Sequence, residues 1–199
     1  MRKNKPKETR IKDVIDTAVK LFIENGFEGT SMDAVAKNSG LSKGGLYHHF
    51  TSKDEVLLAA NKVYFDPIID FMKQAEENIS PLEGLTGFIN NYINHWSMHQ
   101  RELIFNYLSI SKILGSISLW HNIAQHAEQM MNFYDTLLNK AVSSGELLPN
   151  NTKARAVVLF GALDGIPAYL LLNKGITPKQ TARFIESVCI DDLRILKPE

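Results

Sequence analysis

The sequence predicts an all-α protein of about nine helices, short ones clustered near the N-terminus and long ones after them. Three observations carry this. Apolar residues recur at helical spacing, as Ile11, Val14, Ile15, Ala18, Val19 and Phe22 do on one face. Helix starts are signed at Ser52 with Glu55, Ser80-Pro81 with Glu83, and Thr177-Pro178 with Gln180. In each, an N-cap hydroxyl has an acid or amide three residues on. Two of them add proline at the first helical position, where its missing donor costs nothing. No stretch shows the alternation of a half-buried strand.

Taken in order, the first helix holds that apolar face and stops at Gly26, which can take the left-handed conformation. Ser31 can cap a short helix over residues 32–38, Gly40 breaks it, and Ser42 can cap another over 43–50. A long helix then starts at Ser52. Further helices are expected over 82–98, 102–113, 117–144 (stopping at Gly145) and 152–173, with a last one behind Thr177. This divides the chain into a head, residues 1–52, led by a basic arm over 1–8, and a larger helical body, 53–199.

Composition is that of an ordinary soluble globular protein, 44% hydrophobic and 22% charged with zero net charge. The distribution of charge is more telling. Arg2, Lys3, Lys5, Lys7, Arg10 and Lys12 stand against Glu8 alone, which suits a phosphate backbone or a solvated tail. Cys189 is the only cysteine, so a disulfide framework and a cysteine zinc site are excluded. No apolar run approaches the ~20 residues of a membrane span, and the N-terminus lacks a signal-peptide core. A cytoplasmic protein without membrane contact is expected.

The two short helices around Gly40 meet the demands of a helix-turn-helix. Ala36 is small enough for the helices to cross closely, Gly40 supplies the turn, and Leu46 anchors the second helix on the core. The second helix opens Lys43-Gly44-Gly45-Leu46-Tyr47-His48. Its N-terminus is the part that enters a major groove. Without a Cβ, Gly44 and Gly45 let the backbone approach DNA. Lys43 can reach a phosphate or a guanine edge, and Tyr47 and His48 follow one turn on. His49 turns away from them and is expected to pack against the next helix.

These residues carry a resemblance. "GLSKGGLYHHFTSKDEVLLAA", with its lead-in "LFIENGFEGTSMDAVAKNSG", resembles the signature of the TetR (TetR/AcrR) family of bacterial transcriptional regulators over roughly residues 8–60. The resemblance implies double-stranded operator DNA as partner. It also implies DNA contacts from Thr30 and Ser31 before the first helix of the motif, and from Lys53 at the start of the next long helix. The family often carries Thr, Ser or Asn where Gly45 stands, so base readout here rests more on Lys43, Gly44 and His48.

For the body, the resemblance implies a homodimer through the last two helices. Gly161, Gly165 and Ala168 form a small-residue face, with Asp164 beside it, and Phe184 and Val188 lie on an apolar stripe. The same residues would serve an internal core face, and Cys189 fits either as a buried residue. The resemblance further implies a small apolar or aromatic effector, for which Tyr92, Trp96, Phe105, Trp120 and Phe133 are the candidates. The run Leu85, Phe88, Ile89, Tyr92, Trp96 has core spacing as well. His95 and His99 have metal-binding spacing but no clear third ligand, so no metal and no cofactor are expected.

The function expected is a dimeric repressor of a palindromic operator, released by an effector. A DNA-binding adaptor or regulator without an effector keeps the head and needs no pocket. A helical enzyme would need a catalytic constellation, and no nucleophile elbow, HExxH or P-loop occurs.

Overall fold

The computed structural model describes residues 6–172 and 175–195; within it, the side chains of 117, 118, 120, 122, 123 and 171 are outside the description. Among the described residues there are nine α-helices and no strand: α1 (Lys7–Gly29), α2 (Met32–Ser39), α3 (Lys43–Tyr47), α4 (Lys53–Glu76), α5 (Pro81–Met98), α6 (Gln100–Leu114), α7 (Ile117–Ser143), α8 (Thr152–Leu172) and α9 (Pro178–Cys189). A short 3-10 turn, Asp191–Leu193, follows. The all-α class expected from the sequence, with about nine helices, is the class observed among the described residues.

The turns follow local chemistry. Gly26 has φ 74° and ψ 161° and breaks the helical path near the end of α1. Gly40, at φ 73° and ψ 23°, closes α2 in the left-handed region, where a side chain would be strained. Of the three helix-start signatures, only Thr177 with Gln180 forms the full reciprocal box. Ser52 Oγ accepts from Glu55 N–H at 3.1 Å, but the Glu55 carboxylate turns to Thr51, accepting from its N–H at 2.6 Å and its hydroxyl at 2.8 Å. At Ser80, Glu146 takes the place of the local acid: it bonds the Ser80 hydroxyl and accepts from Leu82 N–H at 3.1 Å. A distant carboxylate thus caps α5 and ties it to the turn after α7.

The chain forms two compact units. One runs to Asp66 and takes in Ile104–Gly115; the other holds Pro67–Leu103 and the chain from Ser116 on. The seam in α4 falls at Pro67, which lacks the N–H for an intrahelical bond. In the first unit, α1 buries Val14, Ile15, Ala18, Val19 and Phe22, joined by Val35, Ala36, Leu46, Phe50, Val56 and Leu57. The α6 segment belongs to this core. Phe105 packs on Phe22 and edge-on to Tyr64, with centroids 6.4 and 5.7 Å apart. The Ser109 hydroxyl donates to Asn61 Oδ1 at 2.8 Å.

In the second unit α5 is central, packed against α7, α8 and α9. Gly84 is required there: a Cβ would stand 2.2 Å from Ala75 O of α4. Glu186 on α9, nearly buried, accepts from Asn90 of α5 at 2.8 Å and from Arg183 at 3.2 Å. Arg155 of α8 binds Asp192 through both terminal nitrogens, at 2.7 and 3.1 Å, and donates to Cys189 O at 2.6 Å, pinning the end of the chain. Helix α8 runs on through Pro167, although the ring removes an intrahelical donor there.

Candidate DNA-binding surface

Two caps set the helix-turn-helix. Ser31 Oγ accepts from Ala34 N–H at 3.1 Å and starts α2; Ser42 Oγ accepts from Gly45 N–H at 3.1 Å and starts α3. Leu46 is fully buried and anchors α3 on the core, which leaves the opposite face outward. On that face Gly44, Tyr47 and His48 are exposed, and a Cβ on Gly44 would meet nothing within 4 Å. Gly45 is half-buried. A Cβ there would press on the Ser42 hydroxyl at 3.2 Å, so glycine at 45 also protects the cap.

Lys43 is exposed but engaged: its ammonium lies 3.0 and 3.1 Å from the two carboxylate oxygens of Asp33. That hydrogen bond, with the attraction behind it, raises the Lys43 pKa. Asp33 sits in the first turn of α2, where the helix dipole favours a carboxylate. An anion approaching Lys43 would have to share it with Asp33. Nothing in the local sequence flags this pair, since the partners are ten residues apart and meet only through the turn.

The three residues added by family resemblance differ in placement. Ser31 is exposed and its hydroxyl is used as the cap. Thr30 is buried, its hydroxyl donating to Gly26 O at 2.9 Å and Leu21 O at 3.1 Å, so it fixes the corner between α1 and α2. Lys53 is 21% exposed and donates to Phe27 O at 2.6 Å. His49 is half-buried; its ring meets His48, with centroids 5.3 Å apart. Burial lowers its pKa, helped by the neighbouring His48 and by Lys7 and Arg10 of α1.

In the second unit, Phe133 and Tyr92 are buried beside Phe88, with centroids 4.8 and 5.7 Å from it, and Trp96 is buried against Tyr92 at 6.2 Å. Tyr134, not singled out from the sequence, completes the group: fully buried, 5.8 Å from Phe88, with no hydrogen-bond partner for its hydroxyl among the described residues. Burial raises the pKa of Tyr134 and of Asp164, a half-buried acid on α8. Phe105 is not brought to this group; it belongs to the first unit's core. The Trp120 side chain lies outside the described residues. His95 and His99 stack at 4.2 Å. No cluster of three or more metal-ligating residues occurs among the described residues.

On α8 and α9 the expected dimer residues share open surroundings. Phe184 and Val188 are exposed, as are Val157, Val158, Tyr169 and Leu172, and a Cβ on Gly161 or Gly165 would meet nothing within 4 Å. Ala168 and Asp164 are half-buried beside them. Cys189 is buried, and burial raises its pKa. No helix among the described residues is long and apolar enough to cross a membrane.

Residues 14–60 match the family model for bacterial regulatory proteins of the tetR family. The chain is 27% identical over 126 residues to the biofilm operon icaADBC HTH-type negative transcriptional regulator IcaR of Staphylococcus epidermidis, spanning 61% of this chain and 68% of that protein. It is 23% identical to a fatty acid metabolism regulator protein of Bacillus subtilis, over 85% of this chain and 87% of that one. Among solved structures, FadR of Bacillus subtilis in complex with stearoyl-CoA aligns with TM-score 0.78 at 18% identity, covering 92% of this chain and 99% of that chain. Residues 14–60 are thus a TetR-family helix-turn-helix head, regulators of this kind align along most of the length, and the chain is a DNA-binding transcriptional regulator.

Proposed function

We propose that the chain is a homodimeric repressor of a palindromic operator. Residues 1–52 carry the DNA-binding face, and 53–199 the dimer and effector functions. One observation carries the DNA reading: the outward side of α3 offers Lys43, Gly44, Tyr47 and His48 beside the Ser31 cap, with Leu46 locking the helix from behind. A helix N-terminus stripped to glycine fits closely in a major groove, and its free N–H groups and flanking cations suit phosphate. The exposed apolar side chains of α8 and α9 fit a second copy, with the open Gly161 and Gly165 allowing close helix approach. Two heads then read half-sites about 34–36 Å apart, or a multiple of that.

The effector reading rests on the aromatic group around Phe88, with the Tyr134 hydroxyl and Asp164 as polar features. The stearoyl-CoA in the FadR structure supports an apolar ligand in this fold. Release needs the effector to prefer the non-binding state by only ~1–3 kcal/mol. The tight packing of Phe88 on Phe133 favours a second reading, a regulator with no effector. The test is selection of genomic fragments by purified protein at about 150 mM salt, then titration of the complex with acyl-CoA thioesters and aromatic acids. Enrichment of one fragment class and its release by one ligand class is expected. Enrichment with no release moves the reading to the effector-free regulator. No enrichment over random DNA would refute the operator reading.

A further inference from the structure

The end of α1 gathers two cations on one ring. Lys53 Nζ, from the first turn of α4, lies 4.4 Å from the Phe27 centroid, and Lys112 Nζ, from α6, lies 4.9 Å from it. Glu28 stands between them, its carboxylate bonded to Lys112 and 3.8 Å from Lys53. An ammonium has three N–H donors. Lys53 directs one to Phe27 O at 2.6 Å and another, long, to Glu28 O at 3.5 Å. The Glu28 carboxylate is shared: it ion-pairs with Lys53 only at 3.8 Å and bonds Lys112 more closely, and both lysines lower its pKa, Lys112 the more. The Glu28 side chain is 77% exposed and tethered only through its ion pairs, while the Lys53 ammonium is also fixed by backbone carbonyls. The other acid felt by Lys112 is Asp54, a weaker influence than Glu28.

We propose that Lys112 is a positioning residue for operator binding: it draws the Glu28 carboxylate toward itself, keeps the Glu28–Lys53 ion pair long, and so leaves a donor of the Lys53 ammonium to a backbone phosphate. This rests on the DNA-binding reading of the head. Without Lys112, Glu28 closes on Lys53, taking the donor and setting a negative charge beside the phosphate. Lys112 itself need not touch DNA. Its place on α6 makes that segment part of the DNA-binding apparatus through charge as well as through Phe105 and Ser109.

The test is a double-mutant cycle on the full chain, with the selected fragment as probe and affinity read by anisotropy from 50 to 300 mM salt. Lys112→Gln is expected to weaken binding roughly threefold to tenfold at low salt, and Lys112→Arg to restore it. Glu28→Gln should bind at least as tightly as the parent. Lys112→Gln placed on Glu28→Gln should cost nothing further and leave the salt slope unchanged. An equal loss with and without Glu28 would overturn the proposal, as would no loss at all. A slope reduced by about 0.9 in both backgrounds would mark Lys112 as a direct phosphate contact. If the parent enriches no DNA, the operator reading fails and this inference with it; if it binds and the cycle is additive, the inference alone fails.

Discussion

The head carries its chemistry outside its core, and the body carries its chemistry inside. In the head, a small apolar core holds up side chains that face outward: Tyr47 is 42% exposed, and Lys43 meets Asp33 in solvent. In the body, the aromatic and hydroxyl groups of interest are inside, with Trp96 and Tyr134 fully buried. A surface that meets a charged polymer can be altered without touching the fold. A ligand site made of core residues cannot, because each lining side chain also holds the core together.

The comparison is broken most easily at its extremes. Trp96→Ala should cost about 3–5 kcal/mol of stability, read by urea unfolding; a loss below 1 kcal/mol would mean that Trp96 lines open space. Tyr47→Ala should weaken operator affinity roughly tenfold while the thermal midpoint, dimer mass and helix content stay put. Unchanged affinity would show that α3 has been given the wrong outward face.

Gly44→Ala is a smaller and sharper test. The methyl enters open space and replaces a poor helix former, so stability should rise by about 0.5 kcal/mol, while operator affinity falls because the methyl stands between helix and groove. A variant that is both more stable and equally tight in binding would remove the close-approach argument.

A pH dependence is expected in the body as well. His95 packs on Trp96 at 5.0 Å, Phe71 at 5.9 Å and His99, and burial, aided by the His99 charge, lowers its pKa to about 4. The unfolded chain has the ordinary value near 6.5. Unfolding therefore takes up a proton between those values: the stabilisation is complete above pH 6.5 and is lost as pH falls through about 4. Melting curves of His95→Gln should fall less over that window than those of the parent; identical curves would mean that His95 titrates normally.

How far the sequence could be read also divides along this line. Caps, glycine turns and helical periodicity are local, so Ser31, Gly40, Ser42 and Gly145 marked their boundaries correctly. Helix α3 ended three residues before the expected limit, since α-helical bonding gives way to a turn after Tyr47 although Phe50 still reaches the core. Long-range partners were not legible. Glu146 replaces the local acid at the Ser80 cap, and Asp33 claims Lys43 across the turn. Aromatic content suggested Phe105 for the body, yet α6 delivers it to the head, because composition records how apolar a segment is and not which core it enters. Lys112 passed unmarked for the same reason: a lone lysine near a helix end acquires meaning only when Glu28 and Phe27 are brought to it.

The most direct measurement is a hydroxyl-radical footprint of the parent protein on its selected fragment. Two protected blocks, related by symmetry and centred one helical turn or a multiple apart, are the expected result. A single block, or protection without symmetry on many unrelated fragments, would contradict a dimer that reads DNA through α3.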